Sequence, residues 1–142
     1  MIPLVVAAEV RGIDAPFVVR LSATGETPDD ALLRRTDQST LVISHGRARA
    51  RIAGSDPAPF LGDIVLLDPA RSTMQRLIRA GSRHNTFLFT ERCDQLCVMC
   101  SQPPKKTHHD NFIHYERAAL LAPQNAVLGF SGGEPTLYKR EL

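Results

Sequence analysis

The chain has 142 residues, of which 43% are hydrophobic, and carries a net charge of +2 with a sequence pI near 8.6. That charge is too mild to argue for a nucleic-acid partner, which a concentrated basic surface would announce. The sequence holds no apolar run long enough to span a membrane, no repeat and no low-complexity tract.

Residues 2–10 are apolar but are interrupted by Pro3 and Glu9, and the first basic residue, Arg11, follows the run. A secretory signal has the opposite order. Three cysteines, an odd number at short spacings, also argue against a disulfide framework, so reduced thiols and a cytoplasmic setting are expected.

Residues 17–21, 41–44, 47–52, 64–67 and 73–79 read as short β runs. They are separated by turn signals at 25–29, Gly46, 54–59 and Asp68-Pro69. The last two runs flank Asp68-Pro69-Ala70-Arg71-Ser72 and predict a hairpin. Residues 29–35 read as a short helix. Residues 1–84 are thus expected to form a small, mostly β domain, joined onward through Ala80-Gly81-Ser82. Arg47, Arg49 and Arg51 alternate with Ala48, Ala50 and Ile52, so on a strand the guanidinium groups share one face. Two readings compete for that face: an edge strand guarded against aggregation, and a docking stripe for an acidic peptide.

From residue 85 the pattern changes. Residues 86–90, Thr-Phe-Leu-Phe-Thr, read as a strand, and 93–105 as the loop after it. Asp110 can cap a helix over 111–121, with Phe112, Ile113, Glu116, Ala119 and Leu120 at helical spacing and His114 and Tyr115 on its outer face. Pro123 ends it. Residues 126–130 predict a buried strand, and 136–142 the opening of a second helix.

Cys93, Cys97 and Cys100 are the only cysteines and form C-x3-C-x2-C. Three thiolates so close can converge on one soft metal centre, leaving a coordination position that the motif itself does not fill. A Cys3His zinc site completed by His108, His109 or His114 competes, although zinc sites more often pair cysteines and then wait a dozen residues for the next pair. His108 and His109 are better explained as loop residues ahead of a helix, and a solvated loop explains Lys105 and Lys106 as well as a role beside a cluster does. The second motif is Gly129-Phe130-Ser131-Gly132-Gly133-Glu134-Pro135. Its glycines let backbone approach a ligand, and Glu134 is an acceptor suited to an ammonium group.

The two motifs together resemble the radical S-adenosylmethionine (SAM) superfamily. More narrowly, residues 90–105, with Ser-Gln-Pro-Pro-Lys after the last cysteine, and Gly132-Gly133-Glu134-Pro135-Thr136-Leu137 are similar to the C-type radical SAM maturases of the His-Xaa-Ser peptide-modification system. The resemblance covers residues 85–142. It implies that Cys93, Cys97 and Cys100 hold a [4Fe-4S] cluster. Gly132, Gly133 and Glu134 would contact the SAM amino group, and Met99 would stand near the adenine. It further implies one-electron cleavage of SAM to a 5'-deoxyadenosyl radical, a peptide substrate of the kind with His-Xaa-Ser repeats, and a reductant such as flavodoxin or ferredoxin. The fold expected from it is α/β: a β-α-β unit plus helix stub, the truncated start of a partial (β/α) barrel, after the mostly-β domain. Later barrel strands are missing from 142 residues, so either a truncated or split product of a longer gene or a complementing chain is expected.

Overall fold

In a computed structural model the described residues are 4–95, 97–100 and 111–140. Seven strands come first: β1 (Val5–Arg11), β2 (Phe17–Ser22), β3 (Asp30–Arg35), β4 (Thr40–His45), β5 (Ala48–Ala53), β6 (Ile64–Asp68) and β7 (Thr73–Ile78). They close into a barrel in the order β1-β5-β4-β3-β2-β6-β7, with β7 pairing back onto β1. Only β2 and β3 run parallel among these pairs; the others are antiparallel. Closure leaves none of the seven with a free edge.

Side-chain alternation sets which face is inside. On β5, Ala48, Ala50 and Ile52 are buried while Arg49 and Arg51 are exposed. Val19, Leu21, Leu41, Ile43, Leu67 and Met74 help fill the interior. Strand β6 is buried along its whole length. Its Val65 and Leu67 point into the barrel, and Ile64 and Leu66 point outward under a second apolar cluster.

That cluster is what the rest of the chain supplies. Strand β8 (Asn85–Thr90), helix α1 (Phe112–Leu121) and strand β9 (Leu128–Gly132) follow, with β8 and β9 paired in parallel. Phe87, Phe89, Tyr115, Ala118 and Leu121 pack with Val18, Ile64, Leu66, Leu77 and Ile78 of the barrel wall. The rings of Phe87 and Tyr115 stack with centroids 4.6 Å apart. Between β7 and β8 the connection is pinned from both sides. The carboxylate of Asp63 accepts from Arg76 Nε and, at 2.8 Å, from the Ala80 amide; Asn85 Oδ1 accepts from the Arg79 amide at 2.9 Å.

The fold class is therefore mostly β, and the expected α/β class is corrected. The described residues from 85 onward do not open a partial (β/α) barrel: α1 lies against β2, β6, β7 and β8, so the parallel pair is backed by the wall of a closed β-barrel. Four local readings change with it. Residues 30–35 are a strand, because β2 and β4 hydrogen-bond it on both sides and override the helix propensity of Ala-Leu-Leu-Arg-Arg. Tyr115 is buried at 4% exposure, whereas Ile113 and Leu120 are above 70% exposed, so the helix is rotated from the expected face. Strand β9 begins two residues later than expected, and its Phe130 is exposed. The segment after it is a short 3-10 turn, Pro135–Tyr138. Asp110, the expected cap, lies outside the described residues, and Asn111 occupies the cap position without a side-chain bond. Among the described residues no helix is long and apolar enough to cross a membrane.

Candidate functional site

Parallel pairing of β8 and β9 puts their carboxyl ends side by side, and each end carries one of the two motifs. Thr90 pairs with Gly132, and the hydrogen bonding continues beyond the strands: the Gly133 amide donates to Thr90 O at 2.9 Å and the Glu134 amide to Arg92 O at 2.8 Å. The cysteine loop and the Gly-Gly-Glu segment are thus joined by backbone bonds. Thr90 is fully buried, and its Oγ1 accepts from the Arg92 amide at 3.0 Å, turning the chain out of the strand toward Cys93.

This approach explains both glycines. Gly132 has φ +133°, and a Cβ there would stand 2.2 Å from Thr90 O. A Cβ on Gly133 would lie 2.0 Å from Arg92 O and 3.1 Å from Cys93 Cβ. Any side chain at 133 would push the two motifs apart. The missing side chains of these glycines admit the cysteine loop.

Glu134 caps the 3-10 turn, accepting from the Thr136 amide at 2.9 Å and from its hydroxyl with the same oxygen. Those bonds, the hydroxyl's first, hold its carboxyl below the ordinary value of 4.5, while the nearby Asp94 pushes weakly the other way. Glu134 is consequently an anion at neutral pH. Arg92, Cys93, Asp94, Leu137 and Tyr138 line a cleft of about 390 Å³ beside it. Arg92 Nη1 donates to the Tyr138 hydroxyl at 3.3 Å, closing one side. Of these, Thr90, Asp94 and Tyr138 were not singled out by sequence reasoning; Asp94 stands inside the cysteine motif and was the one with a visible signal.

Cys93 is half-buried, and its sulfur accepts from the Gln95 amide at 3.4 Å. Cys97 and Cys100 are exposed and sit at the two ends of one turn, closed by the Cys100 amide donating to Cys97 O at 3.1 Å. Met99 is at the tip of that turn, 95% exposed. Among the described residues no three His, Cys, Asp or Glu side chains are gathered closely enough to share one metal ion. His114 is on α1, beside a groove it shares with Arg117 and Asp29. His108, His109, Lys105, Lys106 and the Ser-Gln-Pro-Pro-Lys segment lie outside the described residues.

No family model matches the chain, and neither does any curated protein or solved structure.

Proposed function

We propose that Cys93, Cys97 and Cys100 hold a [4Fe-4S] cluster and that Glu134 receives the ammonium group of SAM beside it, as part of a radical SAM enzyme that modifies a peptide. The observation that carries the reading is the pair of backbone bonds from Gly133 to Thr90 and from Glu134 to Arg92. They tie a three-cysteine loop to an ionised carboxylate, and cysteine thiolates are the donors such a cluster takes. The chemistry the cluster supplies when bound is one-electron cleavage of SAM.

The chain's own contribution is positional. Gly132 and Gly133 hold the cysteine loop against β9. Thr136 fixes one carboxylate oxygen of Glu134, which aims the other. Cys97 and Cys100 already share a turn, so cluster binding requires the turn to close toward Cys93.

Metal analysis tests the proposal. Anaerobic reconstitution of the full chain should give about four irons and matching sulfide. Cys93→Ala, Cys97→Ala and Cys100→Ala should each abolish stable uptake. Stoichiometric zinc without iron would overturn the reading in favour of a Cys3His scaffold, and uptake of neither metal would leave a non-catalytic module.

A further inference from the structure

Of the arginine stripe, Arg47 stands in the turn before β5, and Arg49 and Arg51 are on a strand that is not an edge. Strand β5 is hydrogen-bonded to β1 on one side and to β4 on the other, inside a closed barrel. Guarding an exposed edge therefore does not account for it. The registers show how far the charge extends. One cross-strand row reads Arg34, Val42, Arg51, Glu9, and the next reads Leu32, Ser44, Arg49, Arg11. This face turns away from α1 and β8, which cover the β2, β6 and β7 side of the barrel.

Cross-strand neighbours of like charge destabilise a sheet, and Arg11 stands directly opposite Arg49. The face relieves little of this internally. Glu9 is bonded to Arg11. Arg49 turns back to the carbonyl oxygens of Gly46 and Ala48 at 2.7 and 2.8 Å. Among the described residues Arg34 and Arg51 have no ion pair.

We propose that this outer face of β3, β4, β5 and β1 docks an acidic, extended peptide segment through Arg34, Arg49 and Arg51. Arg49 and Arg51 are about 6.7 Å apart along the strand, the repeat of alternate side chains in an extended peptide. Val42, lying between Arg34 and Arg51, gives such a segment an apolar floor. A single-stranded nucleic acid fits less well: the two rows offer no aromatic ring for base stacking, and Glu9 interrupts the positive field. The proposal does not depend on the cysteine motif.

Fluorescence anisotropy on the full chain at low salt tests it. The probe is a labelled peptide with Glu at alternate positions; the comparators are its Gln analogue and a single-stranded RNA of equal length. The Glu peptide should bind and the Gln analogue should not. Replacing Arg34, Arg49 and Arg51 together by Gln should weaken binding about tenfold, the sum expected of three exposed pairs. Glu9→Gln, which removes the one opposing charge and leaves the core untouched, should tighten it. Arg71→Gln, on the β6–β7 turn, should leave it unchanged. No binding, equal binding of the Gln analogue, tighter binding of RNA, or a Glu9→Gln variant that binds no better would each overturn the proposal.

Discussion

Gly133 is tightly constrained in the candidate site, because its missing Cβ is the space that Arg92 O occupies. Gly133→Ala should therefore separate the cysteine loop from Glu134 and lower iron uptake on reconstitution, while the far-UV spectrum of the barrel stays unchanged. Iron content of wild type and variant, measured side by side, checks this. Glu134 gives a pH-dependent counterpart. Its carboxyl is held below 4.5 by Thr136, so the bonded form is favoured above the ordinary pKa and is lost as pH falls through the lower folded value. The Thr136 amide resonance should titrate with a midpoint under 4.5, and Thr136→Val should move the Glu134 midpoint back up. A third residue-scale expectation concerns Cys97 and Cys100. Ends of a turn have Cα atoms within about 7 Å, inside the range a disulfide spans. A small disulfide oxidant added to the cluster-free chain should join these two before either joins Cys93, which peptide mass mapping reads directly. At this scale the sequence was most legible. Cysteine spacing identifies the donors, but whether three sulfurs meet depends on loop conformation, which spacing alone leaves open.

Elements were legible where alternation is strict. Strand β5 alternates buried and exposed residue by residue, and β6 and β7 flank a turn whose Asp68 accepts from the Arg71 amide at 3.1 Å. Reading failed where one residue type serves two environments. Residues 30–35 are good helix formers held as a strand by two neighbours. Tyr115 was assigned to the outer face of the helix by the spacing of its apolar neighbours, yet its ring packs against both Phe87 and Phe89. Burial raises the Tyr115 hydroxyl above its ordinary pKa. Truncating it should cost about 3 kcal/mol or more, as for other large buried rings. Ile113→Ser and Leu120→Ser, on the exposed face, should change stability by less than about 0.5 kcal/mol. Urea titrations of the three variants distinguish this orientation of α1 from the one its apolar spacing suggested.

Closure of the barrel could not be read from the strands singly, because it depends on β7 returning to β1 across nearly the whole domain. The other long-range feature is the cluster shared by barrel wall, β8 and α1. A buried ion pair, Asp63 with Arg76, stands beside the connection between them, with Arg76 also donating to Pro59 O at 3.0 Å and lying 5.0 Å from the Phe60 ring centre. Asp63→Ala would leave the Arg76 charge buried and unmatched, at a cost of about 3–5 kcal/mol. It would also release the Ala80 amide, so calorimetry should show both a lower Tm and a loss of the single cooperative transition expected of wild type.

We propose that the motifs at the carboxyl ends of β8 and β9 make one site. Electron paramagnetic resonance of the reduced, reconstituted chain tests it most directly. Addition of excess SAM should change the spectrum of the wild type and leave that of Glu134→Ala unchanged; a cluster signal indifferent to SAM in the wild type would contradict it.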